Sequence, residues 1–217
     1  MSPSLELSSS PLGNADRRER PAFAFVAERL WLDFVNTDTG VRGGADALHD
    51  FSRFVLWLEA AHVLDAERSA TMRRRSEQQP AGALAVLGDA RRVRAVLRSL
   101  AERGVFAGDV RLAALSEINR VLGRSAGTRR VELRGDGSFA RAFVPVGDAF
   151  AGLLIPVVES AADALILDQL ARVRRCADPR CGRVFQDETK NGRRRWCDMA
   201  TCGNRAKAAR HRMKLHA

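Results

Sequence analysis

A mainly α-helical domain with one β-hairpin, followed by a small treble-clef-like module at the carboxyl end, is the expectation for these 217 residues. Apolar residues recur at helical spacing through most of residues 22–172, and the period changes once, near residues 131–143. The last 47 residues have a different character. They hold all four cysteines and 14 Lys and Arg against 4 Asp and Glu, whereas the preceding 170 residues hold 22 of each sign. The chain's formal charge of +10 therefore belongs to its final segment.

Residues 1–21, rich in Ser, Pro and charge, read as a flexible leader. Leu30/Phe34 and Trp31/Val35 are i,i+4 pairs, which predicts a short buried helix ending near Gly40. Asp46 is placed to cap a second helix whose apolar residues Leu48, Phe51, Val55, Leu58 and Val63 carry it to about Leu64. A third begins near Asp65 and fades in a polar run. Pro80 suits the first turn of a fourth, with a stripe of Leu84, Leu87, Val93, Leu97 and Leu100 and a stop at Gly104. Asp109 opens a fifth, with Leu112, Leu115, Ile118 and Leu122 on one face. Val131 and Leu133, the turn Gly135-Asp136-Gly137, then Phe139, Ala140 and Phe143 read as the hairpin. From Asp148 to Arg175 the pattern is helical again, with Pro156 as a kink or a restart, and runs into Cys176.

Several classes are excluded. No apolar run approaches the ~20 residues of a membrane span, and the amino terminus lacks the pattern of a secretory signal. The expectation is a cytoplasmic protein whose cysteines stay reduced. No P-loop, nucleophile elbow or G-x-G-x-x-G after a strand is present, so an enzyme is not expected.

The cysteines fall as Cys176-x4-Cys181, fifteen residues, then Cys197-x4-Cys202. Two pairs on tight turns suit a structural zinc site, which takes four thiolates in a tetrahedron. Two disulfides would need an oxidising compartment, and a redox pair would more typically be C-x-x-C beside a βαβ unit. Four thiolates leave no open position for catalysis. Ala177-Asp178-Pro179-Arg180 is turn-forming, Val184 and Phe185 offer a small apolar core, and Asn191-Gly192 signals a hairpin turn. GNRAKAARHRMK after Cys202 reads as a helix, with His211 and His216 on its surface rather than on the metal. One structural zinc per chain is expected, held by Cys176, Cys181, Cys197 and Cys202.

The stretch CADPRCGRVFQDETKNGRRRWCDMATCGNRAKAARHRMK resembles the CGNR zinc finger of bacterial proteins. Its middle follows that family's F-x-D-x-S-R-N-x-S-R-R-W-C at Asp187, Asn191, Arg194, Arg195, Trp196 and Cys197. Thr189-Lys190 stands for Ser-Arg, and Arg193 for Ser. Upstream, Leu32-Asp33-Phe34-Val35-Asn36-Thr37 resembles the L-D-F-x-N-T that opens the ABATE domain of stress-induced transcription regulators. The resemblance implies a helical ABATE domain over residues 22–172, a finger over 173–217 and a DNA-binding role.

Arg193, Arg194, Arg195, Arg205, Lys207, Arg210, Arg212 and Lys214 are the candidate nucleic-acid contacts, since clustered cations attract phosphates and Arg can also read guanine. Removing Arg194 or Lys207 is expected to weaken binding and spare the zinc. The few aromatics, Phe185 and Trp196, read as packing residues. Gly203 and Asn204 read as structural; Arg205 faces either nucleic acid or the rest of the protein. Asp33, Asn36 and Thr37 read as hydrogen-bonded ties between elements or as a small-ligand pocket. The function expected is a zinc-containing DNA-binding regulator whose helical domain senses an effector or forms a homodimer. RNA binding, or a ligand- or protein-binding helical module stapled by the finger, are the alternatives.

Overall fold

The computed structural model describes residues 23–38, 46–133, 137, 139–147 and 150–215. The leader, Gly40, most of the hairpin turn, Asp148 and His216 lie outside the described residues. The elements are α1 (Leu30–Val35), α2 (Phe51–Ala60), α3 (Ala66–Gln78), α4 (Pro80–Arg103), α5 (Gly108–Arg124), β1 (Gly127–Leu133), β2 (Phe139–Pro145), α6 (Ile155–Ile166), β3 (Val173–Arg175), β4 (Val184–Gln186) and α7 (Asn204–Leu215).

Helix α1 is short because it lies at the centre. Five of its six residues are buried, and it packs on α4, α6 and β4. Its aromatic residue Phe34 meets Trp57 at 5.2 Å and Phe54 at 6.3 Å between ring centroids. Burying side chains all round such a helix stabilises it where its length alone would not.

Several boundaries differ from the sequence reading, each for a local reason. Asp50, not Asp46, caps α2, accepting the Arg53 N–H at 2.7 Å. Asp46 accepts from Leu48 N and takes a bidentate pair from the buried Arg94, both bonds 2.7 Å. Those bonds from Arg94 hold the Asp46 carboxyl below its usual range. Asp65 and Pro80 do start α3 and α4. The buried face of α4 is Ala83, Val86, Leu87, Ala90, Val93, Arg94, Leu97 and Leu100, and Leu84 is exposed. On α5 the buried face is Val110, Ala114, Ile118 and Val121, which leaves Leu112 and Leu115 outside. Apolar residues fall on two overlapping stripes of α5, and packing against α4 and α6 chose one.

The hairpin pairs Gly127 with Pro145 through Leu133 with Phe139. Gly127 sits beside the Phe143 ring, where a Cβ would come within 2.5 Å. After it α6 starts at Ile155 with Pro156 in its first turn and ends at Ile166. The expected continuous helix into Cys176 is replaced by a 3-10 turn, Gln169–Arg172, and strand β3.

Strand β4 carries the link between the two halves. Val184 and Phe185 are fully buried, so their peptide groups need partners. Asn36, at the end of α1, donates from Nδ2 to Val184 O at 2.8 Å and accepts Val184 N at 2.9 Å. Gln186 N donates to Ala27 O, and Asp33 accepts the amides of Val26 and Ala27 at 3.0 and 3.1 Å. Thr37 donates to Phe34 O and accepts from Arg94. Asp33, Asn36 and Thr37 thus bind backbone and Arg94 at the junction, and the ligand-pocket reading of these three gives way to the tie between elements. Arg98 extends the joint from α4, donating to Val35 O, Asp38 O and Gly182 O. The four cysteines, Val184 and Phe185 belong to the same buried cluster as Trp31 and Leu97.

Replacing Asn36 by Ala removes both partners of a buried peptide and should lower global stability by about 2–4 kcal/mol, read from urea unfolding. Burial lifts the Asp33 carboxyl to about 6, against the amides of Val26 and Ala27, with Glu28 adding to the rise and Arg183 opposing it. The folded state then binds more protons than the unfolded chain between about pH 4 and 6, so stability falls as pH rises through that window. Asp33→Asn lacks this titration. Its stability relative to wild type should gain roughly 2 kcal/mol from pH 4 to pH 6; a pH-independent gap would remove the assignment.

Candidate metal centre and nucleic-acid interface

The four cysteines are placed by two different turns. Cys176 follows β3, its N–H donating to Arg183 O across the hairpin, and Cys181 N donates to Asp178 O in the intervening knuckle. Gly182 takes φ +67°, a left-handed conformation open to glycine that swings the chain into β4. The first pair therefore sits inside the β3–β4 hairpin. The hairpin expected at Asn191-Gly192 is instead a loop, with no strand after it among the described residues. That loop is organised by buried Asp187, which accepts Thr189 N, the Thr189 hydroxyl and Arg194 N. Burial would raise the Asp187 carboxyl, and these bonds outweigh it, holding it low.

Of the second pair, Cys197 precedes the π-helical turn Met199–Gly203, which is capped by Asp198 through Ala200 N, Thr201 N and the Thr201 hydroxyl. Cys202 is in this turn, and α7 starts immediately after. Gly203 lies against Met199, where a Cβ would come within 2.6 Å of the sulfur. Asn204 donates back to Ala200 O, the backbone role expected for it.

All four Sγ atoms lie within 4.8 Å of one another, and all four residues are buried. Cys181 to Cys197 is 3.5 Å and Cys197 to Cys202 is 3.8 Å. No disulfide links them. Bonds of about 2.3 Å from a zinc ion would set the sulfurs of a tetrahedron ~3.8 Å apart, so the donor set fits. Its acid–base chemistry points the same way. The Cys197 contact favours thiolate at Cys181, while that contact and burial oppose it at Cys197. Burial and Cys181 oppose it at Cys202. Several thiolates this close need a cation among them.

Residues 28–168 match the ABATE family, whose description is "Putative stress-induced transcription regulator", and residues 172–214 match the CGNR zinc finger. The chain belongs to the ABATE family. Among curated proteins none matches it.

In this ABATE protein the eight candidate nucleic-acid contacts separate into two groups. Arg194 lies inside the joint: it donates to Trp196 O, Cys197 O and Val26 O, pairs with Glu28 at 3.2 Å and stacks over Phe185. Arg205 closes the finger on itself, pairing with buried Asp178 at 3.0 Å and donating to Cys202 Sγ at 3.5 Å. Both were placed with the contacts because sequence shows a cation's sign and not its partner. Arg193, Arg195, Lys207, Arg210, Arg212 and Lys214 are exposed, and none forms an ion pair with a described residue. Helix α7 carries no acidic residue, and its main packing is on the turn that bears Cys202. Trp196 is half-buried and packs against the core, the packing role read for it. Arg98, Arg172 and Asp178 were missed. Arg172 holds the loop through Asp187 O and Thr189 O, and no local pattern marks such long-range bonds.

Because the cluster is continuous with the helical core, chelation or Cys197→Ser should lower the unfolding of the whole chain in a single transition. At zinc 1,000-fold above its Kd the loss is about 4 kcal/mol, roughly 10 °C. Calorimetry showing the helical domain melting unchanged after chelation would contradict it.

Proposed function

We propose that this chain is a DNA-binding transcriptional regulator of the cytoplasm, with one structural zinc per chain, rather than an enzyme. The observation that carries the reading is α7: a helix anchored at its amino end beside Cys202, projecting four cations that have no ion-pair partner among the described residues, with no acid between them. A basic helix fixed in this way suits phosphate contact and insertion in a groove. The zinc, where bound, supplies rigidity and charge neutralisation for the thiolates. Arg205 and Asp198 orient the helix start, and the body holds the finger through Asn36 and Arg194.

The helical domain is the sensor or dimerisation module in this reading. For an effector, an open cleft of about 590 Å³ between the hairpin, α6 and the turn after α2 presents Arg141, Ser160 and Phe143. A second reading has its own support. The bonds from Asn36 and Arg98 to the finger, and from Arg194 back to Val26 O and Glu28, equally suit a staple that completes the helical core.

Titration of the full chain with duplex DNA separates the two. The intact protein is needed because β4 is buried against α1. Binding should weaken steeply with salt, and Lys207→Ala or Lys214→Ala should each reduce the log–log slope by about 1 with zinc retained. No duplex binding at low salt would leave the staple reading. Preference for structured RNA in competition would assign the surface to RNA.

A further inference from the structure

Between the first knuckle and α7 runs a cleft of about 330 Å³, lined by Ala177, Asp178, Pro179, Arg180, Arg195, Trp196, Arg205, Ala206, Ala209 and Arg210. Four of those ten are arginines, and one is acidic. Asp178 is buried and engaged: it accepts Arg180 N at 3.0 Å and pairs with Arg205. Arg180 reaches the same carboxylate only at 3.8 Å. The Arg195 guanidinium lies over the Trp196 ring, 5.1 Å from its centroid, and the residue is exposed. Arg210 has no ion-pair partner among the described residues. The wall on α7 is Ala206 and Ala209, about one turn apart, so backbone and small side chains allow a close approach.

We infer that this cleft seats one sugar–phosphate unit of a DNA strand, with the sugar against Trp196, Pro179, Ala206 and Ala209 and the flanking phosphates on Arg180, Arg195 and Arg210. The inference rests on the nucleic-acid reading and adds a site to it, including two residues, Arg180 and Trp196, outside the contacts read from sequence. Three chemical features favour this occupant. The charge is positive and divided between two walls, as a strand with a phosphate on each side of a sugar requires. Arginine suits phosphate because its planar fork offers two donors at once. The volume lies at the low end of ligand pockets, ~300–1,000 Å³, and the groove is open, which suits a segment of a continuous strand. Contacts of this kind position a protein without reading sequence. The Lys207/Lys214 face of α7 is left for other contacts.

Trp196 makes the site measurable. Trp31 and Trp57 are 0% and 1% exposed, so acrylamide quenching of the full chain's fluorescence reports on Trp196. Duplexes of two unrelated sequences should protect Trp196 equally. Arg180→Ala, Arg195→Ala and Arg210→Ala should each weaken binding by the same factor on both duplexes, reduce the salt slope by about 1 and leave zinc content unchanged. Trp196→Phe should abolish the protected signal and retain most of the affinity. If DNA binds, by anisotropy of a labelled duplex, and Trp196 stays fully quenchable, the inference falls and the DNA-binding reading stands. If single strands bind more tightly than duplex and shield Trp196 more, the cleft stacks a base and the backbone assignment is overturned. If no nucleic acid binds, both fail.

Discussion

A buried peptide at Val184 governs how this molecule is assembled. Strand β4 belongs to the finger, yet it lies against α1, and water cannot reach its N–H and C=O. Asn36 supplies one donor and one acceptor on the same planar group, which matches a peptide edge-on. Neither Asp nor Leu could do both. Once that pair is set, Ala27 O is aligned with Gln186 N, Asp33 holds the strand-like segment carrying Ala27, and Arg98 bridges α1 to the knuckle at Gly182. Finger and helical domain then share one core, to which the four cysteines belong.

That sharing explains the division of labour among the arginines. A guanidinium has five donors and cannot lose its charge, so it serves both as a rigid tie and as a free cation. Arg194 and Arg98 reach backbone carbonyls across the joint, and Arg172 reaches those of the Asp187–Thr189 loop within the finger. Arg205 balances Asp178 and donates to Cys202 Sγ. The remaining cations, on α7 and before Trp196, have no such duty. Solvent screens their mutual repulsion, and packing of α7 on the turn that bears Cys202 holds them in an array.

Much of this could be read from residue order. Four cysteines in two equal pairs, a segment with all the excess charge, proline and aspartate at helix starts, and a period-two stretch are local signals, because ligand spacing, capping and turn chemistry act over a few residues. They determined the metal site, the helix count around it and the presence of the hairpin. What failed failed at longer range. Asp46 was read as a cap, and Arg94, 48 residues away, recruited it instead. Leu84, Leu112 and Leu115 fit a stripe and stayed outside, because which face of an amphipathic helix is buried depends on its neighbours. The helix expected to reach Cys176 became a strand because β4 needed a partner. The tertiary structure alone decided that Asn36 clasps the finger, that Arg194 and Arg205 have partners within the chain, and that Trp196 opens on a cleft. Each depends on hydrogen bonds and contacts between segments whose proximity no short sequence pattern encodes.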